Sequence, residues 1–334
     1  MIYLGDQIVA LNEYSKEAIC WLGVKLKGRL TSSNKSGYSC GYSTCYPCNN
    51  SNIRSGVEQN FRDLFTDSII KELIEAKPKR LFEINSDLQA NFVAAGGTVA
   101  GFNKNAKKLF VSSGFTTWFS KDETVSEKWN YRLARLLDKH TCTYCNREYI
   151  FVYRNTAGGK GMVPQFDHWF AKTDFPLLGI SFYNLIPSCA TCNTIKSSTD
   201  LNLTDHLHPY VDSNISNTYN FSYLPISDNE NRIIFKNRSL FNRKGIDTVN
   251  ALNLSLIYKG HSGKELQDLI DLRYKYSDNY LNILLEDTFG YLDISKEERY
   301  RMIFGVELEE DNHHKRIFSK FKSDIINELL SIDN

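Results

Sequence analysis

The sequence predicts an α+β protein: a central module at residues 126–215 between an N-terminal α-rich region (1–125) and a helical C-terminal region (216–334). Three observations lead to that expectation. Two C-x-x-C pairs, Cys142/Cys145 and Cys189/Cys192, are separated by 43 residues. Between them lie strand-like stretches around a glycine-rich turn. Apolar residues at helical spacing dominate on either side.

Composition narrows the class. Of 334 residues, 42% are hydrophobic and 24% charged, ordinary values for a soluble globular chain with room for a sizeable core. The opening MIYLGDQIVALNEY has an acid at Asp6 and no basic segment followed by an apolar block, so a signal peptide is not expected. No apolar run approaches the length of a membrane span, and the cytoplasm is the expected compartment. Eight cysteines there are read as thiolates for a metal or as buried apolar groups. A net charge of +1 gives no global footprint for nucleic acid. Residues 201–334 hold 16 basic against 21 acidic side chains, so any polyanion would meet the first two thirds of the chain.

The elements follow in order. TSSNKSGYSCGYSTCYPCNNSN (31–52) reads as a loop. Ser55 and Glu58 form a capping-box pattern for a helix with Val57, Phe61, Leu64, Phe65 and Leu73 on one face, with Pro78 beyond its end. AAGGTVAGFNK (94–104) suggests a turn or loop; it has no GK[ST] ending, which argues against a phosphate-cradling loop for ATP. Ser126 can cap a helix carrying Trp129, Leu133, Leu136 and Leu137 to Cys142. YIFVYRN, the turn TAGGKG and MVPQFDHW read as a β-hairpin, and beyond residue 215 the pattern is largely helical. Its clearest helix begins at Ser262, with Glu265 three residues on and apolar periodicity through Leu285.

Two C-x-x-C pairs supply the four thiolates that tetrahedral Zn²⁺ prefers, so Cys142, Cys145, Cys189 and Cys192 are candidate ligands of a structural zinc. A thioredoxin-like redox pair is the rival reading, and the lack of a βαβ pattern around either pair counts against it. Asp167 and His168 are adjacent on a strand and so point to opposite sides. A helix from 190 would put Cys189 and Cys192 on one face and Asn193 and Lys196 on a face rotated by about 100°. A second group, Cys40, Cys45 and Cys48 with Cys20 upstream, offers no clear paired knuckle. Buried or free thiols, not a second zinc site, are expected there.

The ordered set C-x-x-C, Asp167-His168, Asn184, C-x-x-C-N-x-x-K resembles the zinc-stapled branch of the HNH endonucleases, which have the ββα-metal fold. The resemblance spans roughly residues 140–200. FDHWFAKTDFPLLGISFYNLIPSC further resembles HNH proteins of bacterial anti-phage defence, of the Septu nuclease-subunit kind. The resemblance implies metal-dependent hydrolysis of phosphodiester bonds, with DNA as the expected substrate, leaving 5′-phosphate and 3′-hydroxyl ends. It implies that Asp167 and Asn193 hold a catalytic Mg²⁺ or Mn²⁺, that His168 is the general base and that Asn184 holds the loop orienting His168. The family often has a final His where Asn193 stands. Lys196 would contact a phosphate, with Lys172 and Arg147 as weaker candidates. An ATPase or sensor subunit is a partner implied by the defence resemblance. His206 and His208, just past the module, are expected to make structural contacts rather than line a cleft. Two rival readings stand: a noncatalytic zinc module for nucleic acid or protein, which has no need of Asp167, His168 and Asn193 in this order, and a ribonuclease toxin of the same geometry.

Overall fold

A computed structural model of the chain describes residues 1–334 except 44, 122–126, 155–160, 228–229, 276–282, 284–294 and 332–334. The N-terminal region is helical, as expected. It comprises α1 (Ile8–Lys27), α2 (Tyr46–Asn50), α3 (Gln59–Arg62), α4 (Asp67–Glu75), α5 (Pro78–Ala94) and α6 (Val99–Ala106). α6 continues into π-helical turns over Lys107–Phe119, and α7 (Trp129–Leu137) follows. Then come β1 (Gln165–His168), β2 (Leu185–Ser188) and α8 (Ala190–Lys196). The C-terminal region holds β3 (Tyr219–Ser227), β4 (Glu230–Asn237), α9 (Lys244–Ala251), α10 (Leu254–Lys259), α11 (Gln267–Lys275), α12 (Lys296–Phe304) and α13 (Ser319–Ser331). Among the described residues no helix is long and apolar enough to cross a membrane.

Several local expectations are corrected. The helix expected from Ser55 is two helices, because Thr66 opens a new one: its Oγ1 accepts from the Ile69 amide at 3.2 Å. Pro78 starts α5 at its first turn, where a missing N–H costs nothing. In 94–104 only Ala95 and Gly96 form a turn; Thr98 then caps α6 through the Gly101 amide. α7 buries Trp129, Leu133 and Leu137 as its periodicity requires, while Ser126 lies outside the described residues.

The expected hairpin is also re-paired. Tyr153 and Met162 do exchange backbone hydrogen bonds of 2.9 and 2.7 Å, and the turn 155–160 lies outside the described residues. The Asp167-His168 strand, however, pairs antiparallel with Leu185–Ser188, in the register Asp167↔Ile186 and His168↔Leu185. Burial decides the partner. β1 is enclosed from Phe166 onward, and all of β2 is buried, whereas Tyr149, Phe151 and Tyr153 are exposed and cannot cover it.

The C-terminal region is not wholly helical. β3 and β4 form a two-stranded antiparallel sheet, with Tyr219, Phe221 and Ile233 buried and a register shift between Pro225 and Ser227. A proline there supplies no amide to the ladder. The helix expected from Ser262 does begin there, as π-helical turns leading into α11; its extension toward Leu285 lies outside the described residues.

The first cysteine turn joins these regions. The Ile2 amide bonds Thr143 O at 2.7 Å, and the Tyr258 hydroxyl donates to Cys145 O at 2.5 Å. Asn146, at φ 52°, donates through Nδ2 to Thr141 Oγ1, His313 O and Arg316 O at 2.9–3.1 Å. Its two oxygens accept from the amides of Phe318 and Lys320. Asn is one of the few residues that tolerate a left-handed backbone, and here its amide side chain is fully used. Asn146→Ala should destabilise the fold by about 2–4 kcal/mol, and Asn146→Gly should recover only about 1 kcal/mol of that, the conformational part. Urea unfolding of the three proteins checks this. Two variants with wild-type stability would remove Asn146 as a joint.

Candidate functional site

β1, β2 and α8 form a small ββα unit; Cys189 and Cys192 stand where β2 passes into α8, and Cys142 and Cys145 lie on the turn that precedes β1. The Sγ atoms of Cys142, Cys145, Cys189 and Cys192 all lie within 4.8 Å of one another, and all four residues are buried. Backbone amides support the sulfurs: Arg147 N approaches Cys145 Sγ and Cys192 N approaches Cys189 Sγ, both at 3.4 Å. Hydrogen bonds from Cys142, Cys189 and Cys192 hold the Cys145 thiol well below its usual range. Such a tetrad could hold a structural metal such as zinc. The N-terminal cysteines, which show no paired knuckle in sequence, also converge: the Sγ atoms of Cys20, Cys40, Cys45 and Cys48 lie within 4.8 Å of one another, a second set that could hold a metal. The signal was weak in sequence because Cys20 comes from the middle of α1, twenty residues before Cys40.

A cavity of about 730 Å³ opens beside the unit, and Asp167, His168 and Asn193 all line it. His168, at the end of β1, is 4% exposed and packs edge-on to Phe115 with centroids 4.4 Å apart. Its Nε2 lies 3.0 Å from Gly179 O. A carbonyl only accepts, so Nε2 carries the proton and Nδ1 the lone pair. Burial lowers the His168 pKa to about 3, with Lys172 and Lys196 adding in the same direction. The ring is therefore neutral near pH 7.

The loop between the strands fixes that carbonyl. Asn184, fully buried, accepts from the Phe170 amide at 2.7 Å and donates to Leu178 O and Phe170 O at 3.0 and 3.3 Å. One side chain thus ties both ends of the loop that presents Gly179. The π-helical stretch presses on the same loop. A Cβ on Gly114 would stand 2.8 Å from Ile180 Cγ2, and one on Gly179 would stand 2.9 Å from Phe110 O. Glycine at 179 lets that backbone meet the Phe110 carbonyl, and glycine at 114 leaves room for the Ile180 side chain. From α1 the Tyr14 hydroxyl donates to Ile180 O at 2.8 Å. π-Helical segments often occur at functional sites, and this one delivers Phe115, Phe119 and Ser120 to the cavity wall.

Asp167 is 5% exposed. Its Oδ2 accepts from the Tyr144 hydroxyl at 2.6 Å and meets Lys196 Nζ at 3.2 Å. Burial raises its pKa, and the Lys196 charge opposes that. Asn193, half-buried on α8, donates through Nδ2 to Gln165 Oε1 at 2.6 Å, which leaves its own Oδ1 turned to other uses. Asp167 Oδ1 and Asn193 Oδ1 are hard oxygen donors on one cavity, a set suited to a Mg²⁺ that retains several waters.

Lys196 departs from expectation. It is fully buried, donating to His168 O at 2.6 Å while pairing with Asp167, so its ammonium cannot reach a phosphate in solution. Arg147 pairs with Glu148 away from the cavity. Lys172 is the exposed cation on the cavity wall, its Nζ 5.3 Å from the Phe115 ring centre. Gln165, Asn130, Ser197 and Ser198 also line it; nothing in their local pattern marks them, since the strand pairing and α8 bring them together. His208 is buried against Trp169 and His206 bonds the Asn202 amide, so neither lines the cavity.

Removing one member of a buried ion pair strands the other charge. Lys196→Ala should therefore cost about 3–5 kcal/mol in chemical unfolding, far above the effect of a surface lysine. A loss under about 1 kcal/mol would mean that Asp167 is hydrated, contrary to its enclosure. Comparison of the chain with protein-family models, with curated proteins and with solved structures finds no match.

Proposed function

We propose that this chain is an HNH-type endonuclease that hydrolyses phosphodiester bonds, with DNA as its substrate. One observation carries the reading: a neutral, tautomer-fixed His168 shares a cavity with the oxygen donors Asp167 and Asn193 at the end of a ββα unit. A noncatalytic zinc module needs the cysteines but gains nothing from burying an aspartate and a histidine side by side at a cavity. The chain's resemblance to zinc-stapled HNH nucleases points the same way.

Asp167 and Asn193 would hold a divalent cation, which when bound would offset charge developing on the scissile phosphate and the leaving 3′-oxygen. His168 takes the proton of the attacking water on Nδ1 while Nε2–H stays on Gly179 O. A base with a pKa near 3 is weak, but an anionic phosphate beside it favours the imidazolium and raises its proton affinity during the reaction. Asn184 acts through the loop, as a positioning residue. Lys172 is placed to meet a phosphate oxygen. The first cysteine tetrad, if loaded with zinc, would fix α8 against the strands, where Asn193 already meets Gln165 of β1.

Incubating the purified protein with plasmid, single-stranded DNA and RNA, with and without Mg²⁺ or Mn²⁺, tests the reading. His168→Ala should lower the cleavage rate about 10²–10⁴-fold while leaving folding and nucleic-acid binding intact. Asn193→Ala should shift the metal requirement upward, as should Asp167→Ala, which also destabilises the fold by stranding Lys196 and is therefore assayed only where it remains folded; Asn193→His should retain activity because imidazole also ligates such cations. Lys172→Ala should raise KM more than it lowers kcat. Wild-type cleavage that persists in EDTA, together with an undiminished His168→Ala rate, would rule the mechanism out. Cleavage of RNA alone would keep the chemistry and change the substrate.

The pH profile gives a separate check. His168 loses its basic form only as pH falls through the free protein's pKa of about 3. kcat/KM, which reports the free enzyme, should therefore show no acid limb attributable to His168 between pH 5 and 8, a range given by about two pH units above that value. A limb at the ordinary histidine pKa of about 6.5, abolished in no other variant, would show that His168 is solvated.

A further inference from the structure

The search for a second site leads to the N-terminal cysteines. We propose that Cys20, Cys40, Cys45 and Cys48 bind a second structural zinc ion, which holds residues 39–43 and 45–50 against α1. This does not rest on the nuclease reading.

The geometry is the first support. Cys20 Sγ lies 2.6 Å from Cys48 Sγ and 3.4 Å from Cys45 Sγ, and Cys40 Sγ lies 3.5 Å from Cys48 Sγ. Each sulfur approaches the other three within 4.8 Å. A zinc with four sulfurs at about 2.3 Å makes a tetrahedron with edges of about 3.8 Å, close to the 3.4 and 3.5 Å separations, whereas the Cys20–Cys48 pair at 2.6 Å would open by about 1 Å to admit the ion. Two disulfides would bring sulfurs together in pairs and give no reason for all four to converge.

The second support is a repeated arrangement. Cys189 stands at the N-cap of α8 and Cys192 at its third residue. Cys45 stands at the N-cap of α2 and Cys48 at its third residue. In each tetrad one helix start thus offers two sulfurs toward two more from elsewhere in the chain.

The third support is what the segment lacks. Of the described residues in 39–50, Pro47 is the only buried one. The backbone bonds of 42–51, such as Cys45 N to Tyr42 O and Ser51 N to Pro47 O, are local. A stretch with so little apolar burial does not hold a fixed position by hydrophobic packing, and a metal staple supplies what packing does not. Cys20 is buried within α1, whereas Cys40, Cys45 and Cys48 are partly exposed; the other tetrad is buried throughout. Chelators therefore reach the second site first. Zinc binding displaces the thiol protons and leaves sulfur oxidation unchanged, so no oxidant or reductant is involved.

The test uses the full chain purified under reducing conditions without chelator. Elemental analysis should find two zinc ions per chain, falling to one in a Cys45→Ser/Cys48→Ser variant. A zinc-sensitive dye should record a fast and a slow release phase in the wild type, with only the slow phase in the variant. Limited proteolysis should cut within 31–52 in the variant and not in the zinc-loaded wild type. Should the variant fail to fold, native alkylation of the wild type read by mass spectrometry decides. After stripping and reloading with Zn²⁺ alone, Cys40, Cys45 and Cys48 should be protected despite their exposure. One zinc per wild-type chain that the Cys45→Ser/Cys48→Ser variant retains, or rapid alkylation of these three thiols in zinc-loaded protein, would overturn the proposal.

Discussion

The buried ammonium of Lys196 is the constraint around which the candidate site is organised. It reaches from α8 to the carboxylate of Asp167 and the carbonyl of His168, so one charge bonds two consecutive residues of β1. An ammonium taken wholly out of water is tolerable only with such partners. The same contact determines the rotation of α8 about its axis. With Lys196 turned inward, Asn193, three residues earlier, reaches Gln165 at the cavity. A lysine that the motif suggests as a phosphate ligand is thus part of the frame, and the exposed cation of the cavity is Lys172.

The N-terminal helices act on the site through the loop between the strands. Trp21 of α1 stacks on Trp118 at 5.2 Å, which lies between Phe115 and Phe119 in the π-helical stretch. Tyr14, Gly114 and Gly179 bring this layer against residues 179–180. His168 receives its tautomer from Gly179 and its ring contact from Phe115, so both determinants of its state come from one packed layer. A lone strand histidine becomes a buried neutral imidazole through a carbonyl eleven residues later and a ring more than fifty positions earlier in the chain.

The C-terminal region bears on the first cysteine turn rather than on the cavity. Tyr258, His313, Arg316, Phe318 and Lys320 all bond residues 145–146. A metal in that tetrad would stiffen a turn on which three parts of the chain converge, so its influence on stability extends beyond the ββα unit.

The sequence by itself determined the α+β class, the four cysteines of the first tetrad, and the positions of Asp167, His168, Asn184 and Asn193 along the chain. These are legible because spacing encodes them: C-x-x-C offers two sulfurs at one turn, and strand alternation separates neighbouring side chains. Tertiary structure decided which strand β1 pairs with, since a buried strand takes the buried Leu185–Ser188 and not the exposed residues near Tyr149. It decided that the alternation of Tyr219, Phe221, Ile233 and Phe235 forms a sheet, a period-two signal that the surrounding helical pattern obscures. It also brought Cys20 of α1 to Cys40, Cys45 and Cys48, and turned Lys196 inward. The physical reason is common to all four. Local patterns fix what a residue can do, while burial against distant chain fixes which partner it meets, and a charge, a sulfur or an unpaired strand edge acts only through that partner.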